Sequence, residues 1–198
     1  MGERAQTLRS SSLLIVALMV LCLGSAPLIS NTLQSFATDL EGKPFDPFRA
    51  ARGKVAVMIF VRTDCPISNR YAPAIQQLSA RNGGKAVFFL VYPGKKDTAN
   101  SIRKHDREFG YTLAALRDPQ HILVKQSQAQ ITPEAAVFDA NRRLVYHGRI
   151  DNLYEDFGHA RKSATTHELA DAIEAAIAGK TLNSDATPAV GCYISDLE

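Results

Sequence analysis

The sequence predicts a mixed α/β domain, a central sheet flanked by helices with an N-terminal hairpin extension. Two observations predict it. Residues 54–62 (KVAVMIFVR) and 85–92 (KAVFFLVY) are near-continuous apolar runs rich in Val, Ile and Phe, with a helix-patterned segment between them. Strands buried on both faces read this way. Later, residues 135–149 read as strand, turn, strand, followed by an amphipathic helix. Strand–helix–strand early and a hairpin plus helix late define a mixed sheet covered on both faces.

Each element has its own local reason. Residues 32–46 read as two extended pieces around Glu41-Gly42-Lys43. Residues 68–81 carry apolar side chains at 71, 72, 75 and 78, one face of a helix, with Ser68 as N-cap. Asn82-Gly83-Gly84 stops that helix, because glycine takes left-handed conformations cheaply. After the second strand, 93–97 is a loop, 98–109 a polar helix, 112–117 an extended piece and 120–130 a helix. Residues 135–139 and 143–149 form a hairpin around Ala140-Asn141-Arg142. Residues 167–177 form a helix capped by Thr165 or Thr166 and stopped at Gly179.

The chain has 198 residues, 45% hydrophobic and 22% charged, with a formal net charge of +3. These values exclude a disordered or collagen-like chain and a multi-span membrane protein. They carry no basic excess of the kind nucleic-acid binding requires, so no nucleic-acid partner is expected.

Residues 1–30 read as a signal peptide or an N-terminal membrane anchor. Arg4 and Arg9 precede the apolar run 13–23, and Gly24-Ser25-Ala26 follows. The run is about half of the ~20 residues a spanning helix needs, and Pro27 interrupts its extension. Both readings put the remainder outside the cytoplasm, as a periplasmic or secreted domain (31–179), with membrane attachment through residues 12–30 in the second reading. A polar tail, 180–198, carries Cys192.

The cysteines are Cys22, Cys65 and Cys192. Loss of the leader leaves Cys65 and Cys192, and an even number in an oxidising compartment favours one disulfide. Three thiols are too few for a four-thiolate zinc site. His105 and His121 are isolated, and His147, His159 and His167 lack tight ligand spacing, so all five read as surface residues. No metal and no cofactor are expected.

Thr63-Asp64-Cys65-Pro66-Ile67-Ser68 is the segment with the strongest chemical signal. A cysteine between the end of a buried strand and the start of a helix meets first-turn amides, which favour the thiolate, the nucleophilic form. The competing reading is a structural cysteine at the core edge.

Cys65-Pro66 after the first strand and Thr132-Pro133 before the third resemble the thioredoxin fold, and more narrowly its redoxin (AhpC/TSA-like) branch. FATDLEGKPF at 36–45 is similar to the N-terminal hairpin of that branch. TDCPISNRYAP at 63–73, LRDP at 116–119, TPEAAVFD at 132–139, YHGRIDNLY at 146–154 and VGCYI at 190–194 resemble blocks of secreted bacterial redoxin-domain proteins. The resemblance covers about residues 32–195. It implies a thioredoxin-like fold, Cys65 as the active cysteine and a cis-proline at Pro133 facing it.

The chain departs from two relatives of that branch. Ser68 stands where thioredoxins carry their second cysteine, so local dithiol exchange is impossible. Arg62 and Met58 stand where peroxiredoxins carry a hydroxyl and a proline, and Thr63 is one residue off. Efficient peroxidase chemistry is therefore not expected. Cys192 is the candidate resolving thiol, because the tail after Gly179 can cross the domain. A Cys65–Cys192 bond reads as a redox couple or as a staple, with two unbonded thiols as the third alternative.

The expected activity is thiol–disulfide exchange, with Cys65 as nucleophile and Cys192 resolving the mixed disulfide. Pro133 and Thr132 would hold the backbone of a protein or small-molecule disulfide or thiol substrate, with Pro66 and Ser68 beside the sulfur. Arg149 would orient the substrate or the tail, or form a surface ion pair with Asp151. An external thiol reductant would complete the cycle. The alternatives are a weak thiol peroxidase and a non-catalytic binding module stapled by Cys65–Cys192.

Overall fold

The computed structural model describes residues 37–180 and 187–195. The expected leader falls outside these residues. No helix among the described residues is long and apolar enough to cross a membrane.

Seventeen elements follow in order. They are β1 (Ala37–Thr38), β2 (Pro44–Phe45), α1 (Pro47–Ala51), β3 (Val55–Phe60), α2 (Pro66–Arg70), α3 (Ala72–Asn82), β4 (Ala86–Tyr92), α4 (Ala99–Phe109), β5 (Ala114–Arg117), α5 (Ile122–Ser127), β6 (Ile131–Thr132), β7 (Glu134–Phe138), β8 (Leu144–Gly148), β9 (Tyr154–Asp156), β10 (His159–Ala160), α6 (Glu168–Ile177) and β11 (Cys192–Tyr193).

A seven-stranded mixed sheet runs β2-β1-β5-β4-β3-β7-β8. β3, β4 and β5 are parallel neighbours, and β7 joins β3 antiparallel. Two short ribbons, β10-β9 and β11-β6, stand apart from it.

The continuous apolar character of β3 has a direct cause. Val55, Val57 and Ile59 enter one core with Ile75, Ile102, Leu169 and Ile173, under α3, α4 and α6. Ala56, Met58 and Phe60 enter the other with Phe48, Leu123 and Val124, under α1 and α5. A strand covered on both faces cannot alternate polar and apolar residues.

The hairpins follow from aspartate turns. Asp39 Oδ1 accepts the Glu41 and Lys43 amides at 3.0 and 2.8 Å, while Gly42 takes φ 79°. Asp139 Oδ1 accepts the Asn141 and Arg143 amides, both at 2.9 Å. A carboxylate that binds its own chain two and four residues on fixes a tight turn.

Several boundaries differ from expectation. The helix expected over 68–81 is two helices that meet at Tyr71 (φ −80°, ψ −6°). Pro73 lacks the amide that would bind the Asn69 carbonyl, so continuous helical bonding fails there. The N-cap of α2 is Cys65, and Ser68 lies buried inside its first turn. Gly83 ends α3 at φ −53°, and Gly84 takes the left-handed conformation instead.

α5 is shorter than expected because His121 and Gln128 both adopt left-handed φ values. α6 is capped by the His167 backbone rather than by Thr165 or Thr166, whose amides bind Asn152 Oδ1 at 2.7 and 3.1 Å. Helix α1 and the β9–β10 ribbon had no expectation at all.

Candidate active site: two thiols at the end of β3

The C-terminal end of an interior strand positions the site. β3 ends at Phe60, and the Val61 amide still binds the Val91 carbonyl at 3.0 Å, so the chain leaves the sheet tethered. Cys65 follows with extended backbone (φ −92°, ψ 109°) and caps α2, with Pro66 opening the helix. Proline suits that place, because the first helical amide has no intrahelical partner.

Cys65 is fully buried, at 0% exposure. As a thiol it donates to the Thr132 carbonyl at 3.1 Å. The Thr132–Pro133 peptide is cis, and the Thr132 carbonyl brings the loop before β7 against the sulfur.

Cys192 arrives from the tail. β11 pairs antiparallel with β6, with Cys192 opposite Thr132 and Tyr193 opposite Ile131. The Thr132 hydroxyl donates to the Cys192 carbonyl at 3.2 Å, and the Ile194 amide to the Gln130 carbonyl at 2.9 Å. Gly191 packs on Thr132 so closely that a Cβ would collide with its carbonyl oxygen. Further up, the Arg149 amide donates to the Thr187 carbonyl at 3.1 Å, and the Tyr146 and Thr187 hydroxyls are 2.9 Å apart. Ile194 is buried in the core under α1 and α5. The tail is thus a strap seated on the cis-proline loop.

Both cysteines are free thiols in this structure. The two thiols influence each other: Cys192 favours a charged Cys65, and Cys65 disfavours a charged Cys192. Burial works against a charged Cys65, but the side chains of Cys192 and Ser68 and the polar backbone of Ser68 and Cys192 beside it outweigh that and lower its pKa. Cys192 is pushed up to about 12, first by burial and then by the Cys65 side chain and the charge there. Arg62, beside it, opposes that rise.

Ser68 is fully buried, and its hydroxyl has no partner of strict hydrogen-bond geometry. The Cys65 sulfur is the group on which it acts. Thr132, expected to hold a substrate backbone, has its edge and hydroxyl occupied by Cys192. Arg149 does not pair with Asp151. Its guanidinium binds Glu168, with Nε at 3.0 Å, and Asp151 accepts the Tyr71 hydroxyl at 2.6 Å.

A cleft of about 270 Å³ lies beside the tail, lined by Arg62, Asp64, Lys96, Asp97, Ile194 and Ser195 among others. Arg62 bonds Asp64 at 2.8 Å and reaches the Tyr193 carbonyl at 3.4 Å. The Thr63 hydroxyl donates to Asp97 Oδ1 at 2.6 Å, so it is committed away from the sulfur.

A polar network behind α2 escaped the sequence reading. His105 is buried, not on the surface, and bonds Tyr92 at 2.9 Å and Asn69 at 2.8 Å. Tyr92 also donates to Asp106 at 3.0 Å. Burial lowers the His105 pKa. His121 is likewise buried, with Nε2 3.1 Å from the Pro93 carbonyl. For His105 the signal lies in Ile102 and Phe109 at helical spacing, since its immediate neighbours Lys104 and Asp106 are charged. Among the described residues no cluster could hold a metal ion.

No family model matches the chain, and no curated protein matches it. Solved structures do. A hypothetical protein of Sinorhizobium meliloti 1021 is 23% identical over 80% of this chain and 88% of its own, with a TM-score of 0.68. The exposed lipoprotein thioredoxin of Streptococcus pneumoniae strain TIGR4 is 20% identical over 72% and 96%, with a TM-score of 0.51. The thioredoxin domain of a thiol-disulfide oxidoreductase from Bacteroides vulgatus is 13% identical over 70% and 89%, with a TM-score of 0.51. Strand order, helices on both faces and these likenesses agree: the chain has the thioredoxin-like fold.

Proposed function

We propose that the protein is a thiol–disulfide oxidoreductase whose redox couple is Cys65 and Cys192. The observation that carries this reading is that both thiols meet at Thr132 on the cis-proline loop, Cys65 through its bond to the Thr132 carbonyl and Cys192 through strand pairing, with the Cys65 pKa lowered and the Cys192 pKa raised. Unequal thiols suit exchange, because the more acidic sulfur is the better leaving group. The couple alternates between the dithiol described above and a Cys65–Cys192 disulfide. Its partners are thiol or disulfide compounds, small or protein-borne, and an external thiol redox partner.

The Thr63 hydroxyl is spent on Asp97, and Met58 and Arg62 offer no substitute, so peroxide reduction has less support than exchange. The leader-like residues 1–30 support an extracytoplasmic location, as a signal peptide or an anchor.

The test is a disulfide-exchange assay on the mature protein with Cys65→Ser and Cys192→Ser variants. Both substitutions should abolish turnover. Full activity in Cys65→Ser would sink the reading. A Cys65–Cys192 bond that resists reduction below about −300 mV would mark a structural staple instead.

A further inference from the structure

We infer that an external thiol joins the couple at Cys192 rather than at Cys65, and that the tail strand reserves the site for small or flexible thiols over extended peptides. This rests on the redox reading above. Exchange depends on which sulfur can be reached and which sulfur leaves well. Cys65 is at 0% exposure beneath Thr132 and the tail, while Cys192 is only half-buried. Tyr193, beside it, is 75% exposed. The cleft of about 270 Å³ begins two residues beyond Cys192 along the tail, bounded by Arg62, Ile194 and Ser195.

The edge beside a cis-proline is where an extended peptide would add as a strand. Here Cys192 and Tyr193 already pair with Thr132 and Ile131. A peptide would have to displace Ile194 from the core and undo the Gly191 contact with Thr132. A small thiol needs neither.

The steps balance. The thiolate RS⁻ attacks the Cys192 sulfur of the disulfide, forming Cys192–S–S–R and releasing Cys65 as a thiolate. Buried Ser68 lies beside that thiolate and favours it over the thiol. A second thiolate, R′S⁻, attacks the R sulfur, giving R–S–S–R′ and freeing Cys192, which takes a proton from water. Two thiols are oxidised and the couple is reduced by two electrons. An external disulfide reverses the sequence.

The experiment uses the full mature chain, oxidised with diamide, then reduced with glutathione in steps. Samples are acid-quenched and their peptides mapped by mass spectrometry. At partial reduction the glutathione adduct should sit on Cys192, with Cys65 unmodified. An adduct on Cys65, or reduction that passes through no Cys192 adduct, overturns the inference and leaves the redox couple standing. A diamide-treated protein without a Cys65–Cys192 bond overturns the couple and the inference together. Gly191→Ala, which crowds the tail off Thr132, should move the adduct toward Cys65. In the reduced variant, Cys65 alkylation should accelerate by an order of magnitude or more. Unchanged adduct position and alkylation in a folded Gly191→Ala also count against the strap.

Discussion

At the scale of single residues, Ser68 lies buried inside the first turn of α2 rather than capping it. A buried hydroxyl without a fixed partner is costly, and this one faces a sulfur that gains an acceptor's full strength when it ionises. Ser68→Ala should therefore raise the Cys65 pKa. The thiolate absorbance of the reduced wild type should titrate below the ordinary 9.0, and that midpoint should rise in the variant. No movement would remove Ser68 from the site. The sign is fixed by charge: a donor stabilises the thiolate and not the thiol, so its loss favours the protonated form.

At the scale of elements, the short helix α5 depends on one carboxylate. Asp118 is fully buried, and it accepts the Ile122 and Val124 amides at 2.9 and 3.0 Å. With left-handed residues at both ends, this helix has few other means of defining its start. Burial raises the Asp118 pKa, although the amide bonds and His121 work against the rise. Asp118→Ala should cost about 1–2 kcal/mol, the usual loss of a capping side chain, read by equilibrium denaturation. Pro73 sets another element boundary. It separates α2 from α3, leaving Cys65 at the head of its own short helix.

At the scale of the molecule, β3 joins the two cores and leads into the cysteine. Ile59 is fully buried one residue before the end of that strand. Ile59→Ala should destabilise the fold by about 2–5 kcal/mol, through lost transfer energy and a cavity. Its denaturation midpoint should fall with the slope unchanged, since the same surface unfolds. The tail belongs to this scale too. It is held at Thr187 against β8 and at 191–194 against the cis-proline loop, both far from the tail in sequence.

The buried strands were legible because burial on both faces writes itself into composition: 54–62 and 85–92 contain β3 and β4. Cys65 was legible because a strand–helix junction has local signals on either side, an apolar run before it and proline with helical spacing after it. The sequence alone thus determined the layered α/β architecture and singled out the cysteine. The tertiary structure decided what that cysteine faces. Cys192–Tyr193 is a strand of two residues with no period to read, and its pairing with Thr132 is set by chain closure, not by local pattern. The same holds for Ser68, read as a cap from its residue type and found inside the turn, and for His105, whose burial depends on Tyr92 and Asn69 arriving from other elements. Local propensity is written in neighbouring residues; the environment of a sulfur is made by distant ones.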